Sequence, residues 1–418
     1  MSATAADAAS AASVASIRSH FPALERREGG TPVAFFDGPG GTQVPRAVAD
    51  AMTDYLLRHN ANTHWVYPTS LETDAMITAA RAALADFLGG DPSEVVFGAN
   101  MTTLTFHLAR ALARGWAAGD EVVVTELDHH ANVDPWRALE RDFGVVVKAA
   151  PLVPGEARLD LGALGRLLTK KTRLVAIGAA SNAVGTINDV ARVAALAHAN
   201  GSLAFVDAVH YAPHALVDVK ALGADFLACS PYKFYGPHAG VLWGKRALLE
   251  ALDAPKLRPA PENAPDRLET GTQNHEGIAG CGAAVDFLAS LAGESGSRRA
   301  RLGHTFAALH ARGEALLARM WNGLSQIPGV TLYGPPPGAP RTPTVGFAVK
   351  GWTSAAVARA LVPGGIYVSN GDFYATTLVE KLGHGADGLV RAGAACYTTE
   401  DEVDRLVSAV GRLSPRGH

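Results

Sequence analysis

Cysteine is scarce in this chain of 418 residues. The three present, Cys229, Cys281 and Cys396, form no CxxC pair, which excludes a disulfide-built scaffold and a zinc site of the usual spacing. Long apolar runs are also missing. None approaches the roughly 20 residues needed to span a bilayer. The Ala/Ser-rich first seventeen residues hold no Lys or Arg, so they lack the basic head of a signal peptide and read as a frayed or helical tail. Charge of one sign never accumulates: the formal net charge is −3, with 18% charged residues. That balance disfavours a nucleic-acid stripe or a patch for anionic membranes and leaves a small molecule as the expected partner. Internal repeats are absent, and Gly38-Pro39-Gly40-Gly41 lacks the G-x-G-x-x-G spacing of a dinucleotide site. The expectation is a soluble, cytoplasmic protein with reduced thiols.

What the chain does contain is an alternation of strand-like and helix-period segments, the pattern of a parallel sheet covered by helices. Strands are expected at 94–97, 121–125, 145–148, 173–177, 203–206, 226–229 and 240–243. Helices are expected at 46–57, at 71–88 with Thr69 and Glu72 at capping-box spacing, at 104–113 and at 190–200, then at 277–291 and 299–324. Strands near Val330, Thr344 and Leu389 and a last helix from Glu400 read as a smaller α+β domain. The division expected is a tail (1–20), a large domain (21–270), and an interface segment with a small C-terminal domain (271–418).

The polar residues gather at the ends of the apolar runs. Lys233 follows the run 226–229 and precedes a Gly-Pro turn, so its amine faces a cleft. The run 202–206 ends in Asp207 and His210. An amine, a carboxylate and an imidazole delivered to one place suit pyridoxal phosphate, with Lys233 forming the Schiff base and Asp207 keeping the pyridine nitrogen protonated. Thr102 and Thr103 open a helix after a strand, where free amides make an anion site; a plain Thr N-cap is the competing reading. His129 ends another strand at the same edge, where open α/β sheets bind ligands. Its neighbour His130 does not share a helix face with it, so no two-His metal site is expected.

Six motifs in order, TELDHHANVDPW, SNAVGTIND, VDAVH, SPYKFYGP, ETGTQN and LVRAGAACYTTEDEVDRL, resemble the class-V aminotransferase family of pyridoxal phosphate enzymes, nearest its cysteine desulfurase-like branch. The resemblance implies the type I aminotransferase fold, a mainly parallel seven-stranded sheet with a smaller α+β C-terminal domain, usually as a homodimer. It implies Lys233 as the Schiff-base lysine, with Tyr232 before it, Asp207 as pyridine partner and His129 stacked on the ring. Asn182 and His210 would meet the ring hydroxyl. Thr102, Thr103 and Ser230 would hold the phosphate, with Thr272 reaching in from the second subunit. Arg391 would clamp the substrate carboxylate, and His64 and Tyr374 join it as substrate contacts.

Departures from the branch matter as much. Where desulfurases carry a reactive cysteine on a mobile loop, this chain reads Val368-Ser369-Asn370-Gly371-Asp372-Phe373-Tyr374. Tyr232 stands where sulfur-transferring relatives usually carry His, and the segment 62–67 is more aromatic than theirs. Three readings follow: a carbon–sulfur (β-elimination) lyase acting on a cysteine-like amino acid; an aminotransferase or epimerase on another amino acid; and a non-catalytic scaffold that binds the cofactor.

Overall fold

The computed structural model describes residues 12–413. Seven strands form the main sheet, in the spatial order Val95–Gly98, Gly240–Gly244, Phe226–Cys229, Leu203–Asp207, Thr172–Gly178, Glu121–Thr125 and Val146–Ala150. Six are mutually parallel, and Gly240–Gly244 runs antiparallel to both of its neighbours. The central strands read as unbroken apolar runs because helices cover both faces. One face packs Val123, Val175, Val206 and Leu227 under Phe87, Phe287 and Phe234. The other packs Val122, Phe205 and Phe226 under Trp136 and Leu108. Each such side chain contributes on the order of 1.5–3 kcal/mol by leaving water.

All seven expected strands are present, shifted by at most two residues at an end. The tail expectation covers residues 1–11, outside the described residues, and the helix Val14–Ser19, whose Ile17 is buried in the main core. One start is corrected. The helix Pro68–Leu88 has Tyr67 at its N-cap and Pro68 at its first position, without a side-chain cap. Glu72 instead contacts His59 Nδ1 at 2.6 Å, so Thr69 and Glu72 make no capping box.

A second sheet orders Val330–Tyr333, Thr344–Val349, Leu389–Gly393 and Ser369–Gly371, all antiparallel. It carries its own core, with Phe347, Val390 and Met320 against Val403 and Leu406 of the last helix, Glu400–Leu413. The strands Ile366–Tyr367 and Ser369–Gly371 were not expected. Ile366–Tyr367 pairs in parallel with Ala34–Phe35, and through it the N-terminal segment is tied to the C-terminal part of the chain.

Candidate active site

Parallel strands put their carboxyl ends along one edge, and the candidate residues line up there. Asn100 and Thr102 follow Gly98, His129 follows Thr125, Asn182 follows Gly178, His210 follows Asp207, and Ser230 to Lys233 follow Cys229. They enclose a cavity of about 90 Å3 lined by Thr102, His129, Asn182, Asp207, His210, Ser230, Tyr232 and Lys233. Gly240, opposite Gly98, is needed here. A Cβ on it would lie 2.3 Å from the Asn100 carbonyl carbon.

Lys233 closes a one-turn 3-10 helix begun by Pro231, and its Nζ donates to the Pro39 carbonyl at 2.5 Å. Burial, reinforced by the Arg391 charge, lowers its pKa to about 7, against the pull of Asp207 and Asp37. Asp207 is raised to about 6 by burial; its Oδ1 accepts from the Val209 amide. His129 Nδ1 accepts from the Ala131 amide at 2.9 Å, so the neutral ring carries its proton on Nε2. Burial, then the charges of Lys233 and Arg391, lower its pKa to about 4. His210 Nε2 sits between the hydroxyls of Thr342 (3.0 Å) and Thr344 (3.2 Å), while its Nδ1 is buried without a partner. Asn182 Oδ1 is likewise unpartnered.

Five candidates stand elsewhere. The N-cap of the helix Met101–Ala113 is Asn100 rather than a threonine, and both the amide and the hydroxyl of Thr103 are bound to Asn100 Oδ1. Thr103 therefore turns away from the cavity that Thr102 lines. His64, at φ 67°, is exposed and contacts Asp74. Thr272 is exposed outside the cavity. Arg391 is buried but off the cavity wall. Its Nη1 donates to the Asn182 carbonyl at 2.9 Å, its guanidinium lies 4.1 Å from the Phe373 ring centroid, and its Nε has no partner. Burial lowers its pKa to about 9. Tyr374 is exposed, and its ring stacks on His129 with centroids 5.5 Å apart.

Other site residues escaped the sequence reading. Asp128 accepts from the Gly178 amide and from Asn132 Nδ2, so it bridges two strand ends, and it lines the same cavity as His129. Burial raises its pKa to about 7. Its place beside His129 was the only signal. The Pro39 carbonyl had none, because a backbone acceptor leaves no mark in side-chain chemistry. Phe373 and Tyr374 sit at φ 57° and 56°, a region bulky residues rarely adopt. Their carbonyls accept from Asn182 Nδ2 and the His130 amide.

The sequence matches the family described as aminotransferase class-V over residues 34–406. The chain belongs to the class-V aminotransferase family. An aminotransferase-like protein of Gibberella zeae is 35% identical over 405 residues, covering 94% of this chain and 96% of that protein. A cysteine desulfurase of Pectobacterium atrosepticum is 32% identical over 413 residues, 95% and 97% of the two chains. Among solved structures, the apo cysteine desulfurase from Thermococcus onnurineus superposes with a TM-score of 0.86 at 28% identity, covering 96% of this chain and 97% of that one. The Escherichia coli cysteine desulfurase CsdA gives 0.83 at 29%, covering 96% and 98%. The fold is thus the type I fold of class-V aminotransferases, and the chain is a pyridoxal phosphate enzyme.

The cavity fits that cofactor. A buried amine of lowered pKa, a buried carboxylate across from it, and two unpartnered buried acceptor or donor atoms, Asn182 Oδ1 and His210 Nδ1, match an aldehyde, a ring nitrogen and a ring hydroxyl. No cluster of His, Cys, Asp or Glu suited to a metal ion occurs among the described residues.

Proposed function

We propose that this enzyme cleaves the carbon–sulfur bond of a cysteine-like amino acid by β-elimination. One observation carries the reading: the site has the buried amine and acid of the family but no accessible thiol. Cys229, Cys281 and Cys396 are all buried, and burial raises each thiol pKa, that of Cys396 to about 12. Pyridoxal phosphate, when bound, supplies the electron sink for the carbanion at Cα.

The chain's own residues supply the rest. Lys233, with a pKa lowered to about 7, accepts the α-proton at Nζ near neutral pH. Asp207 would keep the ring nitrogen protonated, and Thr102 and Ser230 would hold the phosphate. His129, held neutral with its proton on Nε2, supplies a flat face and a hydrogen-bond donor rather than a cationic acid. The Tyr374 hydroxyl, beside His129 and without a hydrogen bond among the described residues, is the acid we assign to the leaving sulfur. Arg391 would bind the substrate carboxylate once Phe373 moves off its face. His64 and Thr272, outside their own cavity, would act on the site of a second subunit, in a homodimer. Exposed Leu57, Trp65, Val66, Tyr67 and Leu71 support a second copy as the partner. The three unpaired thiols support a reducing, cytoplasmic setting.

Aminotransfer is the second reading, favoured by the name of the Gibberella zeae relative. One screen separates the two. Incubated with L-cysteine and with other amino acids, a lyase releases sulfide, ammonia and pyruvate in equal amounts and returns the cofactor unchanged. Accumulation of the amine form of the cofactor with a keto acid, and no sulfide, would replace the lyase reading with aminotransfer.

A further inference from the structure

The strand Val95–Gly98 ends the main sheet, so one of its edges has no neighbouring strand among the described residues. Residues two apart on a strand turn their backbone polar groups to the same side. On the free edge, side chains take the place of the missing strand. Arg81 Nη1 donates to the Val95 carbonyl at 2.5 Å, and the Phe97 amide donates to Glu269 Oε1 at 2.7 Å. The two side chains also join each other in a two-pronged pair, Nη1 to Oε1 at 2.7 Å and Nη2 to Oε2 at 3.1 Å. The Arg81 guanidinium lies 5.1 Å from the centroid of the Phe97 ring. A largely buried ion pair is a poor source of stability by itself, because desolvation offsets the attraction. This one also satisfies a donor and an acceptor that the strand edge leaves over, and so it fixes geometry.

What the pair fixes is the root of two separate segments. Five residues beyond Phe97 is Thr102, in the first turn of the helix Met101–Ala113 and on the cavity wall. Three residues beyond Glu269 is Thr272, in a turn that Gln273 Nε2 braces by donating to the Thr270 and Gly271 carbonyls, both at 3.2 Å. The rest of the cavity is rooted elsewhere, since Lys233 follows Phe226–Cys229 and Asp207 ends Leu203–Asp207.

We propose that Glu269 and Arg81 are positioning residues for the cofactor phosphate, one carboxylate aligning both the strand that delivers Thr102 to this chain's cavity and the turn that presents Thr272 to a second copy. The inference rests on the reading above that these two threonines hold the phosphate. Removing the carboxylate frees only the outer edge of Val95–Gly98. The inner edge stays paired with Gly240–Gly244, so the sheet persists while the phosphate end of the site loses its alignment. The amine at Lys233 and the acid at Asp207 keep their places.

The test compares two ligands of the full chain freed of cofactor: pyridoxal phosphate, and pyridoxal, which has the aldehyde and the ring but no phosphate. Absorbance titration gives both dissociation constants without turnover, so the result does not depend on which reaction the enzyme performs. Glu269→Ala should weaken pyridoxal phosphate about tenfold or more, the worth of a misplaced hydrogen bond to a charged group, and leave pyridoxal within about threefold. Glu269→Gln, which retains an acceptor for the Phe97 amide, should recover part of the loss. Thr102→Ala tests the phosphate seat itself and should lose the same discrimination between the ligands. If Thr102→Ala loses it while Glu269→Ala weakens both ligands alike or neither, the pair serves the fold alone and the inference is overturned. If Thr102→Ala keeps the discrimination, the phosphate seat is misassigned and the inference falls with that reading. Should Glu269→Ala fail to fold, Glu269→Gln and Arg81→Lys decide on the same ratio, and a parental ratio in both overturns the proposal.

Discussion

Lys233 reaches its carbonyl partner from a buried position in the cavity wall, and the chemistry of its amine follows from that burial. A solvated lysine is fully protonated at neutral pH, whereas here desolvation and the nearby Arg391 bring the pKa to about 7. The neutral amine is the nucleophile that captures an aldehyde. Capture of added pyridoxal phosphate by cofactor-free enzyme should therefore slow about tenfold per pH unit below 7 and level off above it. The sign follows from the lowered pKa: below about 7 the amine is charged and inert, above it the lone pair is free. Stopped-flow absorbance measures the rate, and borohydride reduction with peptide mapping should place the label on Lys233. A rate still climbing tenfold per unit from pH 8 to about 10 would mean an ordinary lysine pKa.

At the scale of elements, the segment 369–374 bears on the proposed carbon–sulfur cleavage. Ser369–Gly371 is a sheet strand, and Phe373 and Tyr374 are fixed by hydrogen bonds to Asn182 and His130, so this segment is built as a clasp and carries no thiol. If sulfur leaves without a protein thiolate, replacing Cys229, Cys281 and Cys396 together by Ala should keep kcat within about threefold, under about 0.7 kcal/mol of barrier. Cofactor retention checks folding, because each thiol fills core space and its loss lowers Tm. A folded triple variant without turnover, together with a persulfide trapped on the parent, would restore sulfur transfer.

Which elements were legible in advance follows from the same physics. Strands buried on both faces must be continuous apolar runs, so the inner strands declared themselves, and the polar residues after them had to share one edge; the edge strand Val146–Ala150 is half-exposed and holds Lys148. Asn100 was passed over for Thr102 and Thr103 because all three residue types suit a helix start, and only geometry shows which accepts the amide. The clasp was illegible because two aromatic residues at positive φ leave no compositional signal; long-range contacts to Asn182, His130 and Arg391 hold them there. Asp128 and Pro39 act through hydrogen bonds to backbone or from a distant lysine, which adjacency in the chain does not encode.

For the whole molecule, the placement of Thr272 bears on the number of chains in a working site. Its segment is pinned at both ends. Glu269 is clamped by Arg81 at 2.7 Å and by the Phe97 amide, and Asn274 caps the helix His275–Ser290 by accepting from the Gly277 amide. Between these anchors Gly271 and Thr272 stand exposed and Gln273 half-buried, outside the cavity of their own chain. Under the proposed homodimer, the Thr272 hydroxyl would serve the phosphate of the other copy. Thr272→Ala should then weaken cofactor binding by about 1.5–3 kcal/mol, the worth of a hydrogen bond to a charged group. Mixing Thr272→Ala chains with Lys233→Ala chains separates the two geometries. Action across a two-fold interface gives each mixed dimer one site with both damages and one with neither, so about one quarter of all sites in an equal mixture should regain parental affinity. Action within one chain leaves every site of the mixed dimer damaged. Titration of cofactor absorbance into the mixture reads the outcome, and the lack of any parental-affinity fraction would return Thr272 to its own subunit.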